Sequence, residues 1–150
     1  MAEVNISDWV NMTITDIDKI VEYTIEGAID SLDSKSAVGD ISLWKTKYPP
    51  KNYAPGHFRA NWQLGVDSIP NAEIMSVDPT GTSTVTKNKS KIPKTNAAKH
   101  DNYYIVNNVP YANMLEYGNH SSQVPAEGMV GKTEIEFSEI VSNAVSRVVK

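Results

Sequence analysis

Histidine, glutamate and serine are the residues that could do chemistry in this chain, and their spacing does not favour a catalytic or metal site. None of the histidines has metal-ligand spacing such as H-E-x-x-H, and they lie far apart: His57, His100 and His120. Three glutamates fall on a predicted helix with no histidine beside them, where a solvated face is the usual role: Glu134, Glu136 and Glu139. Ser121 and Ser122 lack the context of a nucleophile elbow.

Residues that are missing narrow the chemistry further. The chain has no cysteine, which excludes disulfides, thiolate metal sites and cysteine nucleophiles. Its 8 glycines are scattered and form no phosphate-binding or dinucleotide-binding pattern. We therefore expect no enzyme activity, no cofactor and no metal. The alternative is a small enzyme, for example a toxin-like one, that uses the same fold; polar side chains in a deep apolar pocket would favour it.

Length and composition are those of one ordinary globular domain. The chain has 150 residues, of which 40% are apolar and 21% are charged. We expect residues 1–150 to form a single domain. No apolar run approaches the roughly 20 residues needed to cross a membrane, so no membrane partner is expected.

The net charge of −4 hides a separation of acids from bases. Residues 1–34 contain eight acidic side chains and one lysine. Residues 87–100 contain no acid and five lysines: Lys87, Lys89, Lys91, Lys94 and Lys99. One interpretation is two solvated surfaces. The other is that complementary faces of neighbouring copies meet, which would steer and orient assembly.

Nucleic-acid contact is the second function that these lysines suggest. Five lysines could neutralise phosphates and give a salt-dependent, sequence-independent affinity. The sequence pI of about 5.3 and the absence of an aromatic residue from 87–100 weigh against a dedicated nucleic-acid-binding protein.

Helical periodicity is clearest at the two ends of the chain. From Val10 to Leu32 the apolar residues recur every three or four positions, opposite an acidic face. Gly27 lowers helix propensity, so it predicts a close approach of another helix. A last helix is predicted over about 131–149, packed beside the first. Its apolar side is predicted to comprise Ile135, Ser138, Val141, Ala144, Val145 and Val148, broadened by Phe137 and Ile140.

Strands and loops are predicted between these helices. Residues 36–57 form a long turn-rich loop whose aromatic residues could pin it to the core or serve an interface: Trp44, Tyr48 and Tyr53. Alternation of period two predicts a strand over 57–67, and 72–77 is a second strand candidate. Asp78 and Pro79 begin either a turn into a strand over 82–86, which the β-branched residues favour, or a helix capped by Asp78. Residues 87–101 are predicted to be a basic mobile loop.

A further strand is predicted over 103–106, and it is followed closely by residues that favour the start and the end of a short helix. Pro110 suits the first position of a short helix whose face carries Tyr111, Met114, Leu115 and Gly118. Gly118 is predicted to end that helix in the left-handed conformation. The expected fold class is therefore α+β. Long N-terminal and C-terminal helices pack on a small antiparallel sheet, with long loops.

Two stretches carry a resemblance to a known family. NNVPYANMLEYG…QVPAEGMV and SAVGDISLWK…YAPGHFRANWQ are similar to sequences of neck proteins from tailed bacteriophages, variously called tail-completion, head–tail joining or minor tail proteins. With the flanking helices the resemblance spans about residues 6–145. The matching positions are Gly39, Asp40, Trp44, Gly56, Arg59, Asn61, Trp62, Asn107, Asn108, Pro110, Tyr111, Leu115, Glu116, Gly118, Pro125, Gly128 and Met129.

The chain departs from the family pattern at three places. Ala37 replaces a frequent proline, and Asn119–His120 stands where the family often has tryptophan. Glu127 lengthens the spacing between Pro125 and Gly128 by one residue. These departures concern the shapes of short loops. Within the matched positions, Arg59 and Glu116 are expected to pair and lock a strand to the short helix.

The resemblance implies a structural role in the virion. A neck protein joins the head connector to the tail as a ring, expected to be a hexamer, around the DNA channel. The implied partners are other copies of the chain, the adjacent neck or connector ring, and tail terminator or tail tube proteins, with DNA possible in the lumen. The implied location is the neck or tail of the virion, after assembly in the host cytoplasm.

Overall fold

A computed structural model of the chain describes residues 14–43, 51–118 and 121–149. The predicted helix start before Ile14 lies outside the described residues, as do Trp44, Tyr48, Asn119 and His120. The described residues form six α-helices: α1 Ile14–Ser34, α2 His57–Ala60, α3 Thr82–Ser90, α4 Ala112–Tyr117, α5 Met129–Ile135 and α6 Phe137–Val148. They also form two strands, β1 Trp62–Val66 and β2 Tyr103–Asn107, and 3-10 helices at Ile41–Leu43 and Ala97–Lys99.

The expected α+β class is confirmed, with long helices at both ends of the described chain. The sheet is antiparallel and two-stranded, and Trp62 pairs with Asn107 while Val66 pairs with Tyr103. One face of this small sheet lies against the core. Its larger core cluster comprises Leu32, Ala37, Phe58, Trp62, Val109, Val124 and Met129, and the smaller one Ile25, Ile29, Leu64 and Ile92.

Helices α1 and α6 pack closely, as the sequence predicted. A Cβ atom on Gly27 would lie 2.7 Å from Cγ2 of Ile140, so the glycine allows the approach. The predicted single C-terminal helix is divided at Glu136 into α5 and α6. Its predicted apolar side is partly wrong, because Ile135 and Phe137 are 63% and 46% exposed.

The strand predicted over 57–67 is correct only from Trp62 onward. Residues 57–60 form the single helical turn α2, in which the N–H of Ala60 donates to the carbonyl of Gly56. Phe58 and Trp62 are four residues apart, so a helical turn followed by a strand still brings both rings into the core. Their ring centroids are 5.7 Å apart in an edge-to-face arrangement, which favours this packing.

The strand predicted over 72–77 is not formed. Residues 68–77, here called the strap, cross the second face of the sheet and are held there by hydrogen bonds from side chains instead of ladder bonds. The Asn61 amide accepts from the N–H of Ile74 at 2.6 Å and donates to its carbonyl at 2.9 Å. Gln63 and Asn108 both donate to the carbonyl of Ala72. The strap therefore depends on amide side chains below it.

Helix α3 replaces the strand favoured over 82–86. The buried Asp78 carboxylate accepts from the backbone N–H of Thr84 at 2.7 Å, from its hydroxyl at 2.8 Å and from the N–H of Gly81 at 3.1 Å. The alternative of a helix capped by Asp78 is thus correct, although the helix begins at Thr82 rather than at Pro79. Capping at the first turn outweighs the β preference of the threonines.

The basic loop predicted over 87–101 is also partly wrong. Its first four residues complete α3, and Ala97–Lys99 forms a 3-10 helix. Ile92 and Ala97 are 2% and 0% exposed, so the segment is fixed to the core at two points. It lies along α1.

Candidate assembly surface

The acidic and basic segments meet within one chain. Lys94 forms an ion pair with Glu22, and Nζ of Lys89 lies 2.8 Å from Oδ2 of Asp30. The hydrogen bond from Lys94 to Glu22 raises the pKa of the lysine. At these two positions the charges are already paired within the chain, so they are less available for a contact between neighbouring copies.

Asp18 ties the same two segments together through backbone groups. It is buried on α1, and its carboxylate accepts from the N–H of Asn96 at 2.7 Å and from that of Ala98 at 2.9 Å. The carboxylate thereby holds the 3-10 helix against α1. The acidity of α1, which the sequence presented as an exposed face, is partly used to organise the basic segment.

Three lysines of the basic segment stay exposed and have no acidic partner among the described residues: Lys87, Lys91 and Lys99. Partial burial, and then repulsion by Lys87, lowers the pKa of Lys91. Fewer free cations reduce the phosphate-binding capacity that the sequence suggested, since affinity for nucleic acid grows with the number of phosphates neutralised.

The predicted pair of Arg59 and Glu116 does not form. Nη1 of Arg59 donates to the carbonyl of Pro79 at 3.1 Å, and its Nε lies 4.0 Å from Oδ1 of Asp33. Both Nε of Arg59 and Oδ1 of Asp33 are buried, and neither has a hydrogen-bond partner among the described residues. Burial raises the pKa of Asp33, the Arg59 charge opposes the shift, and Asp78 and then Asp30 add to it. No spacing in the sequence links Asp33 to Arg59.

Glu116 instead caps a different helix. Its carboxylate accepts from the backbone N–H groups of Met129, Val130 and Gly131, at 2.8, 3.1 and 3.0 Å. The first N–H groups of a helix have no partner inside it, and an anion there also interacts favourably with the helix dipole. Glu116 thus ties the end of α4 to the start of α5.

Other side chains at positions of the family resemblance also form hydrogen bonds that hold distant parts of the backbone in place. The Trp62 indole N–H donates to the Ser36 hydroxyl at 2.7 Å, and that hydroxyl donates to the carbonyl of Leu32 at 2.6 Å. Asn107 donates to the carbonyl of Phe58 at 2.8 Å. Together with the Asn61 and Asn108 contacts to the strap, these bonds give the matched polar residues a shared task, which is to fix loops around the sheet.

Two backbone predictions for this stretch are wrong. Helix α4 begins at Ala112, so Pro110 precedes the helix instead of occupying its first position. Gly118 has a φ of −87° and is right-handed, and its N–H donates to the carbonyl of Met114. A positive φ occurs instead at Gly128, which has an extended ψ and whose N–H donates to the carbonyl of Pro125.

Tyr53 has a local role in the long loop. Its hydroxyl donates to the carbonyl of Gly39 at 2.7 Å, so it connects the two ends of the described part of that loop. Burial raises the pKa of the phenol, as does the nearby Asp40 carboxylate. The bond holds two parts of the loop together, and the two predicted roles of this tyrosine, pinning the loop to the core and serving an interface, stay predictions.

Two sets of exposed apolar side chains lie on the strap and on α4–α5, and further exposed apolar residues, among them Ile14, Ile135 and Phe137, lie on α1 and around α5 and α6. On the strap, Ile69, Met75 and Val77 are 61%, 84% and 48% exposed. On α4 and the first turn of α5, Met114, Tyr117 and Val130 are 58%, 81% and 48% exposed. Exposed apolar groups collected in this way mark surfaces that another molecule can cover. The sequence did not single out either set, because exposure depends on how the elements pack.

A cavity of about 440 Å³ lies between α1 and α6. Its walls include two ion pairs: Lys35 with Glu136 at 2.7 Å and Arg147 with Glu26 at 3.6 Å. The Arg147 guanidinium also lies 3.5 Å from the ring centroid of Tyr23. The polar groups here satisfy one another, so this cavity does not provide the deep apolar pocket that would favour an enzyme.

Two other kinds of site are absent from the described residues. Within the described ranges, no group of three or more His, Asp or Glu residues is placed to hold a metal ion. No helix in the described part of the chain is long and apolar enough to span a membrane.

The chain was compared with known proteins by sequence and by structure. No protein-family model, curated protein or solved structure matches it.

Proposed function

We propose that this chain is a structural component of a bacteriophage neck, where copies form a ring, expected to be a hexamer, that joins the head connector to the tail around the DNA channel. The proposal begins from the similarity of the two sequence stretches to phage neck proteins. Its partners would be neighbouring copies, the adjoining connector or neck ring, and tail terminator or tail tube proteins. The chain would reside in the neck or tail of the virion.

The observation that carries the proposal is the pair of exposed apolar sets on the strap and on α4–α5. A cyclic ring needs two different patches on each copy, one for each neighbour. Lys89 and Lys94 of the basic segment already pair with acids of the same chain, so the apolar sets are the stronger candidates for these contacts. Met75 and Tyr117, at 84% and 81% exposed, are the most exposed members of the two apolar sets.

The arrangement of the matched residues supports a scaffold role. The polar residues at positions matching the family bind backbone groups of the same chain, as Glu116 does at α5 and Asn61 does at the strap. Residues with this role maintain the shape of a surface and perform no chemistry on a substrate. A framework of this kind, with loops displayed around it, suits a protein whose task is to fit between other proteins.

The test is the mass of the assembly by light scattering, measured on the purified protein alone and mixed with a candidate connector or tail-tube complex. We expect rings either in the free protein or only in the mixture, and electron microscopy of the same samples would show their symmetry. Tyr117→Lys and Met75→Lys should each weaken ring formation, because a charge would be buried at the contact. Thr95→Lys adds the same charge at an exposed position outside both sets and should assemble normally.

A protein that stays monomeric with every head and tail component of its virion would overturn the proposal. So would assembly that is unaffected by both lysine substitutions on the apolar sets, because the contacts would then lie elsewhere.

A further inference from the structure

Among the described residues, no strand or side chain pairs with the outer edge of β2, which is called the open edge below. In an antiparallel pair, opposite residues alternate between pairs whose backbone groups point at each other and pairs whose groups point away. The N–H of Leu64 donates to a side chain on the side of β1 that faces away from β2. The backbone groups of Leu64 and of the opposite Ile105 therefore point away from each other. The N–H and C=O groups of Tyr103, Ile105 and Asn107 therefore point out of the sheet. They have no partner among the described residues.

The corresponding edge of β1 is closed. Asn88 is 2% exposed, and its amide accepts from the N–H of Leu64 at 3.0 Å and donates to the carbonyl of Trp62 at 2.7 Å. One side chain from α3 thus imitates a neighbouring strand. One edge of the two-stranded sheet is satisfied in this way, whereas no described residue provides a substitute at the other edge.

The open edge also lacks the features that normally prevent strands from pairing. Edge strands are usually protected by lysine, proline, a bulge or a covering element. Tyr103–Asn107 contains no charged residue and no proline, and its five residues pair with β1 in an unbroken register. A two-stranded sheet is also below the usual size, so a further strand would strengthen it.

We propose that β2 pairs with β2 of a second copy of this chain, antiparallel across a two-fold axis, with Ile105 opposite Ile105. This register matches the outward groups of Tyr103 on one copy with those of Asn107 on the other. All three outward residues then exchange N–H and C=O bonds, and the two small sheets become one four-stranded sheet. The strand is its own complement, because its outward residues are symmetric about Ile105.

The side chains of β2 and its flanking residues are compatible with β2 of a second copy. Tyr104 comes directly opposite Val106 of the other copy, an aromatic and β-branched pair of the kind that stabilises sheets. Asn102 comes opposite Asn108, and the charged Asp101 comes opposite the neutral Val109. No like charges are brought together along the pairing, so a second copy meets no electrostatic opposition at this edge.

This contact goes beyond the proposed ring and does not depend on it. A two-fold contact uses the same surface on both partners, whereas a ring contact joins two different surfaces. The dimer would be a property of the free protein. Its failure would leave the ring proposal standing, and the reverse also holds.

The absence of cysteine allows a direct test of the register. A Tyr104→Cys chain carrying a mass tag is mixed with an untagged Val106→Cys chain in a glutathione redox buffer, and disulfide-linked species are separated by mass. In the proposed register these positions are directly opposite, within disulfide range. Two copies of the Tyr104→Cys chain would place the cysteines diagonally, about 7–8 Å apart. We expect several-fold more mixed dimer than dimer of either chain alone.

The control is Met75→Cys, which introduces a thiol on the strap at a position that is more exposed than Tyr104 and Val106. Mixed with the Tyr104→Cys chain, it should give only the disulfides of random collision. A second measurement needs no cysteine. Light scattering of the unmodified protein should show twice the 16.5 kDa mass of one chain where no ring forms, and with or without rings Val106→Lys should halve the mass while circular dichroism stays unchanged.

Three results would overturn the proposal. One is a monomeric mass for the unmodified protein at every concentration tested. Another is cross-linking of the strap control as efficient as that of the opposed pair. The last is a dimer whose mass survives Val106→Lys, since its contact would lie away from β2.

Discussion

The Glu116 carboxylate and the backbone at Gly128 lie in direct contact at the start of α5. A Cβ atom on Gly128 would be 2.3 Å from Oε1 of Glu116 and 2.7 Å from its backbone oxygen. Gly128 has a φ of +83° and a ψ of 171°, a conformation that is open almost only to glycine. The glycine brings the chain past α4 so closely that the carboxylate reaches three N–H groups beyond it. The two residues, twelve positions apart, therefore form the cap of α5 together.

Removing the carboxylate tests whether Glu116 caps α5. Glu116→Ala should destabilise the fold by about 1–2 kcal/mol, the range for loss of a helix N-cap, because three backbone N–H groups lose their acceptor. Urea denaturation followed by circular dichroism measures the change. Glu127→Ala removes a carboxylate from an exposed position nearby and should change little. Equal stability of the two variants would contradict the capping role.

Substitution of the glycine should depend on Glu116. Gly128→Ala is expected to cost about 1–3 kcal/mol, because a side chain is strained in this backbone region and would also displace the carboxylate. In a Glu116→Ala background the clash with the carboxylate is gone, while the backbone strain and the close contact with the backbone oxygen of residue 116 remain. The double-mutant cycle should therefore show that the two losses are less than additive. Additive losses would mean that the glycine and the carboxylate act separately.

The cap of α3 gives a prediction about pH. Burial of the Asp78 carboxylate raises its pKa, but hydrogen bonds from Thr84, Thr80 and Gly81 outweigh this and lower the pKa below the ordinary value of 3.8. A carboxyl whose folded pKa is lower than its unfolded one binds fewer protons when folded. Its contribution to stability is complete above the unfolded pKa and is lost as the pH falls through the folded one.

Asp78→Asn removes the ionised acceptor and should destabilise the protein by about 1 kcal/mol at neutral pH. The difference from the unmodified protein should shrink as the pH falls below about 4, where the native aspartate also becomes protonated. Denaturation curves from pH 2 to 7 would show the convergence. A difference that stays constant over this range would mean that the charge of Asp78 does not stabilise the cap.

The contact of α1 with α6 predicts that Gly27→Ala destabilises the unmodified protein but stabilises an Ile140→Ala variant. Gly27→Ala gains about 1 kcal/mol of helix propensity but forces a methyl group to within 2.7 Å of Ile140. Overpacking of this kind costs about 1–3 kcal/mol, so the single variant should be less stable than the unmodified protein. In an Ile140→Ala background the space is open and the same substitution should stabilise. Thermal melts of the four proteins decide the matter; a destabilisation of equal size in both backgrounds would show that Ile140 is not the obstacle.

Local sequence patterns were sufficient where an element's own residues determine it. The apolar spacing of α1, the β-formers of β2 and the short helix after Pro110 each predicted an element that the structure contains. Gly27 also marked a close helix contact correctly. Segments whose partners are far away in the chain were predicted less well. The strap looks like a strand to any local rule, yet its hydrogen bonds come from Asn61, Gln63 and Asn108.

The same division holds for the candidate site. The sequence singled out the lysines, Arg59 and Glu116, but their partners depend on the tertiary fold. Lys89 and Lys94 find acids on α1, Arg59 lies beside Asp33, and Glu116 reaches α5. An ion pair or cap across many residues leaves no periodic signal, so its members are visible in the sequence but their pairing is not.

By itself, the sequence determined the class of the fold, the two long terminal helices and the absence of cysteine chemistry, because these follow from composition and from periodicity within a few turns. The tertiary structure alone decided where the charges pair, which apolar side chains stay exposed and which edge of the sheet stays open. Those properties depend on which distant segments occupy the space around each group, and exposure and hydrogen-bond partnership exist only once the chain has packed.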